Sequence, residues 1–86
     1  MTRGTIRYWA AAKQAAGVAE EPFEAGTLAD ALEAAAERRA SNRRFAELLE
    51  RSSFLVDGAP ATRRSAGDVA LAEGSVIEVL PPFAGG

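Results

Sequence analysis

The stretch EGSVIEVLPPFAGG, Glu73 to Gly86, settles most of what the chain can be. Glu73-Gly74 is a turn signal, and the five residues from Val76 to Leu80 alternate as a strand does. Ile77 and Val79 share one face, and Val76, Glu78 and Leu80 share the other. Pro81 and Pro82 have no N–H to continue a ladder, so the sheet stops there and the chain leaves it stiff and extended. Phe83 then offers an apolar anchor. Ala84, Gly85 and Gly86 have almost no width, so their backbone can pass through a narrow channel. A strand with one apolar face needs a partner layer, and the rest of the chain must supply it.

Working back from that strand, TLADALEAAAERRA is the clearest helix. Thr27 is a good N-cap, and Asp30 adds negative charge to the first turn. Leu28, Ala31, Leu32, Ala35 and Arg39 fall on one stripe, whose small side chains allow close approach to a sheet. SNRRFAELLER reads as a shorter helix with Phe45, Leu48 and Leu49 as apolar contacts. TIRYW alternates, with Ile6 and Tyr8 on one face and Arg7 and Trp9 on the other. AAAKQAAG reads as a helical turn or compact loop that ends at Gly17. EEPFEAG reads as an edge strand, because Pro22 cannot donate to a ladder. SSFLVDG is a strand ending in the Asp57-Gly58 turn signal, with Pro60 closing the turn region. A short apolar strand is expected in DVALA.

The order is strand, strand, helix, minor helix, strand, short strand, strand. With one long helix, a mixed sheet has one face covered and one open. Trp9, Leu80 and Val76 fall on the open face. A tryptophan there is a candidate partner surface; one that finishes the rim of the core is the alternative.

At 86 residues the chain is one domain. Its hydrophobic fraction is 48%, but 20 of those residues are alanines, so the large apolar side chains suffice for one small core and no enclosed pocket. Net charge is −2, from ten basic and twelve acidic residues, which disfavours nucleic-acid binding. Arg38-Arg39 and Arg43-Arg44 read as a solvated basic surface near a helix C-terminus, or as a docking patch for an acidic partner. No stretch is long enough to span a membrane, and no signal peptide is evident, so a soluble cytoplasmic protein is expected.

With no cysteine and no histidine, thiolate nucleophiles, imidazole bases and zinc sites on those ligands are excluded, and no metal site is expected. Glu20, Glu21 and Glu24 are paired carboxylates, but in a polar stretch they read as solvated rather than as an acid–base pair. Lys13, the single lysine, has no neighbours to desolvate it. No glycine-rich phosphate loop follows a strand. The remaining reactive group is the carboxylate of Gly86, aimed by the prolines and slim enough for another protein's active site. A carboxylate acylates only once its oxygen becomes a leaving group, which adenylation by ATP achieves. Two terminal glycines alone are weak evidence; the strand leading straight into Leu-Pro-Pro-Phe-Ala-Gly-Gly is more specific.

The chain resembles the MoaD-type small subunits of molybdopterin synthase, within the ThiS/MoaD ubiquitin-like sulfur carriers. IRYWAAAKQAAG, TLADALEAA, LVDG and EGSVIEVLPPFAGG carry the resemblance, most specifically the Pro-Pro-x-x-Gly-Gly ending, while 40–53 and 61–68 match least. The resemblance implies an α+β, β-grasp fold: a mixed sheet with one main helix on one face, comprising residues 1–80, with 81–86 a flexible tail. It implies that Gly86 is adenylated by a MoeB-like adenylyltransferase using ATP and becomes a thiocarboxylate through a sulfur donor protein. The tail then enters a MoaE-like large subunit, in a heterotetramer whose active site lies on that subunit, and sulfur passes to a pterin precursor. No cofactor is expected to be held permanently. Trp9 and Leu80 match the family's partner surface beside the tail, with Pro81, Pro82, Phe83, Ala84 and Gly85 following. A carrier for thiazole or cysteine synthesis would share the tail chemistry. A ubiquitin-like interaction module with incidental glycines would not.

Overall fold

The computed structural model describes residues 1–82. Its elements run β1 (Thr2–Tyr8), α1 (Ala10–Ala16), β2 (Glu20–Ala25), α2 (Leu28–Glu37), α3 (Arg43–Arg51), β3 (Ser53–Val56), β4 (Ala59–Thr62), a 3₁₀ turn (Ala66–Asp68) and β5 (Val76–Leu80). The sheet order is β2-β1-β5-β3-β4. The first and last strands lie side by side and parallel at its centre, and every other pairing is antiparallel. This is the mixed β-grasp sheet expected above, with α2 as its main covering helix.

Strand alternation sorts the side chains. Ile6, Tyr8, Phe23, Ala25, Phe54, Val56, Ile77 and Val79 are buried on one face. Against them pack Leu28, Ala31, Leu32 and Ala35 of α2, the stripe predicted by the 3.6-residue spacing except for Arg39, which lies past the helix end at Glu37. Thr27 caps α2 as expected, its Oγ1 accepting from the Asp30 amide at 3.2 Å. α1 runs from Ala10 to Ala16 and ends on Gly17, whose φ of 84° is the left-handed cap that glycine adopts most readily. α3 contributes Phe45 and Leu49 to the core, and Leu48 is only half-buried.

Two expectations about strands need correction. The apolar run in DVALA is not a strand. The Leu28 amide donates to the Val69 carbonyl and the Leu71 amide to the Gly26 carbonyl, so this segment straps the start of α2, with a single bridge from Thr27 to Ala70. The extra strand is instead β4, in APAT, where the sequence suggested only a turn region around Pro60. β4 is tolerated because, like Pro22 in β2, Pro60 sits on an edge strand, where its missing N–H can face solvent.

Asp57 and Gly58, with φ of 51° and 84°, form the two-residue turn between β3 and β4. Asp57 also ties that hairpin to β5. Its Oδ1 accepts from the Val76 amide at 2.9 Å and its Oδ2 from the buried Ser75 hydroxyl at 2.8 Å. These hydrogen bonds hold its carboxyl below the usual range.

Candidate functional site

β5 delivers the chain to the tail. Leu80 stands opposite Ser53 on β3, and the parallel register with β1 pairs Tyr8 with Val79. Continued by one residue, that register sets Trp9 beside Leu80. The Trp9 amide does extend the pairing, donating to the Val79 carbonyl at 3.3 Å. The chain then turns sharply into α1 through Ala10, at φ 47°, a left-handed conformation uncommon for alanine. That turn leaves Trp9 48% exposed on the uncovered face. Trp9 therefore belongs to the open face, and its Nε1 donates to Glu78 Oε1 at 3.1 Å.

Leu80, Val76 and Leu55 are half-buried on the same face, Leu80 beside Trp9 and Val76 at the other end of β5. Leu55 was not singled out from sequence, although the inward alternation of Phe54 and Val56 places it there. Pro81 is half-buried and Pro82 exposed as the chain leaves the sheet. Phe83, Ala84, Gly85 and Gly86, assigned above to the threading segment and its reactive end, lie outside the described residues. An open groove lies beside the indole, lined by Trp9, Lys13, Gln14, Gly17 and Val18. Val18 is itself 41% exposed.

The carboxylates of β2 divide between the two faces. Glu20 and Glu24 are exposed as expected, and Glu21 is not: its side chain is 13% exposed. Alternation through Glu21, Phe23 and Ala25 turns it inward, opposite Ile6. Arg39, on the turn after α2, meets it with two nitrogens at 2.8 and 2.9 Å and is itself 14% exposed. The Tyr8 hydroxyl donates to the same carboxylate. The Arg39 guanidinium also lies over the Tyr8 and Phe45 rings, at 5.6 and 4.8 Å from their centroids. Arg39 donates further to the Ala16 carbonyl and Asn42 to the Ala15 carbonyl, so the end of α1 is tied to the same cluster. Arg38 also reaches the Glu21 carboxylate, at 3.3 Å, so Arg38 and Arg39 are not a free basic patch, and this cluster braces the segment that carries Trp9.

Burial alone would raise the Glu21 pKa, but hydrogen bonds from Arg39 and Tyr8 and the charges of Arg39 and Arg38 outweigh it and hold the carboxyl low. Tyr8 is pushed up, first by burial and then by its bond to Glu21. Because the folded Glu21 pKa is lowered, its stabilisation is complete above the unfolded value of about 4.3 and is lost as pH falls through the folded value. Arg39→Met should cost about 2 kcal/mol at neutral pH and flatten this acid-side loss, as measured by urea unfolding across the acid range. An unchanged pH profile in that variant would show that the cluster is not the source.

No helix among the described residues is long and apolar enough to cross a membrane. A model of the ThiS family matches residues 6–86. Among solved structures, a putative molybdopterin converting factor, subunit 1, from Pyrococcus furiosus superposes with a TM-score of 0.76 at 26% identity, covering 96% of this chain and 100% of that one. Small archaeal modifier protein 1 from Methanosarcina acetivorans gives 0.78 at 19% identity, over 100% and 98%. The Haloferax volcanii protein of that name gives 0.76 at 19%, over 98% and 99%. At those identities the two modifier proteins testify to the fold alone. No curated protein sequence matches the chain.

Proposed function

The chain belongs to the ThiS family, the ThiS/MoaD type of ubiquitin-like sulfur carrier, and on that premise we propose that it is the small, sulfur-donating subunit of a molybdopterin synthase. The observation that carries the finer reading is the full-length likeness to the Pyrococcus furiosus subunit at 26% identity. The apolar face around Trp9 and Leu80, at the root of the tail, is consistent with it.

In this reading the Gly86 carboxylate attacks the α-phosphate of ATP on a MoeB-like adenylyltransferase, and pyrophosphate leaves. Hydrosulfide released by a sulfur donor protein then attacks the acyl carbon. AMP departs, and the carboxylate becomes a thiocarboxylate. On a MoaE-like large subunit the sulfur passes to a pterin precursor, and hydrolysis returns the carboxylate. This chain supplies no acid or base. Trp9, Leu80, Pro81 and Pro82 dock and aim the tail, Phe83 anchors it, and Ala84 and Gly85 pass through the channel. ATP is consumed by the activating enzyme rather than held here.

The test is to incubate the protein with a MoeB-like enzyme, ATP and a sulfur source, then with a MoaE-like subunit and pterin precursor. Intact mass should show one oxygen replaced by sulfur, and the replacement should reverse as molybdopterin forms. An unchanged mass with an active enzyme would sink the carrier reading. Loading without transfer to the pterin would reassign the chain to another acceptor, such as a thiazole or cysteine pathway.

Trp9→Asp should weaken binding to the large subunit by roughly thirtyfold, the usual scale for an interface tryptophan, while moving stability by under about 1 kcal/mol. Unchanged affinity with a large thermal loss would return Trp9 to the core rim.

A further inference from the structure

The open face carries its charges unevenly. On the β2 and β1 half each outward acid has an arginine: Arg3 meets Glu24 at 2.9 Å and Arg7 meets Glu20 at 3.7 Å. On the β5, β3 and β4 half the outward positions are Val76, Glu78, Leu80, Ser53, Leu55, Pro60 and Thr62, so Glu78 is the one charge. It sits centrally, opposite Arg7 on one side and Leu55 on the other, and is already half-buried. Among the described residues its side chain is held by the Trp9 indole N–H, and no arginine or lysine nitrogen lies within 4.0 Å.

A partner that covers Trp9, Leu80 and Leu55 must also cover Glu78. Taking a carboxylate out of water with one neutral donor for company is costly, whereas a cation placed against it restores the balance and fixes the register of docking. We propose that the partner surface docked on this face is apolar and carries one arginine or lysine that pairs with Glu78. The inference rests on the docking reading above and adds the chemistry of the partner at one point.

The alternative cation is internal. Arg7 holds Glu20 loosely and could turn to Glu78 on docking. Calorimetric titration of a purified MoaE-like large subunit with the wild-type, Glu78→Gln, Arg7→Gln and doubly substituted proteins, at about 50 and 300 mM salt, separates these cases. Glutamine keeps the acceptor for Trp9 and removes the charge. Glu78→Gln should bind about tenfold more weakly at low salt, with the deficit shrinking at high salt, while Arg7→Gln stays within about twofold of wild type. Equal or tighter binding by Glu78→Gln overturns the proposal, since an unpaired carboxylate would bind better once neutral. Equal weakening by both variants, with no further loss in the double variant, overturns it in favour of Arg7. A wild-type protein that does not bind the large subunit refutes the proposed function itself, and this inference with it. Unchanged thermal midpoints in the variants confine each effect to the interface.

Discussion

Gly4→Ala is expected to destabilise the protein by on the order of 3 kcal/mol, at the upper end for overpacking a core. Gly4 lies in β1 opposite Phe23, on the covered face. A Cβ built there would stand 2.2 Å from the Ser75 carbonyl oxygen and 2.6 Å from two atoms of the Phe23 ring. Neither neighbour can yield cheaply. Phe23 is 3% exposed in a packed core. The Ser75 carbonyl accepts from the Thr5 amide at 3.0 Å, and its hydroxyl is engaged by Asp57 and by the Ala72 amide. Relieving the clash means pulling β1 from the start of β5, the central parallel pair of the sheet. For a domain of this size the loss is roughly 12–24 °C in thermal midpoint. Gly67→Ala is the control, since a Cβ there meets nothing within 4 Å. A Gly4→Ala midpoint within a few degrees of wild type would disprove the steric account.

Gly4 also shows where local reading of the chain runs out. Its neighbour is Ser75, seventy-one positions away, and nothing in TRGTI announces it. Features that depend on one segment were legible: the Thr27 cap, the stripe of α2, the edge position of Pro22, the Gly17 stop and the alternation of β5. Features that depend on register between segments were not. Glu21 reads as a solvated acid because its immediate neighbours are polar, yet its pairing with Ile6 turns it toward Tyr8 and Arg39. β4 has weak strand composition and exists because the Asp57-Gly58 turn folds it onto β3. The Val69–Leu71 run has strand composition, but its backbone groups are taken by the residues around the start of α2. At the open face, period-2 alternation was enough to assign Trp9 and Leu80 to one face, while their adjacency comes from the β1–β5 register. The position of Glu78 as the one charge on its half of that face required the register of four strands.

Adding one alanine after Gly86 should abolish sulfur loading, a loss of at least about a hundredfold, while leaving folding and docking intact. On the proposed chemistry the acyl carbon of Gly86 must carry a free carboxylate. The extension turns that group into a peptide carbonyl, which has no oxygen nucleophile to attack ATP. The new carboxylate sits one residue farther along, up to about 3.6 Å beyond the old one, and on a residue with a side chain. Both changes oppose entry into a channel suited to glycine. The proposed docking face lies upstream, in Trp9, β3 and β5, so affinity for the large subunit should hold within a fewfold, and the thermal midpoint should not move. Intact mass after incubation with adenylyltransferase, ATP and sulfur source, beside a titration of the large subunit, reads both halves of this expectation. Normal loading of the extended protein would refute the terminal-carboxylate mechanism. Loss of docking together with loading would show that the carboxylate itself anchors the complex, and would move the tail from cargo to contact.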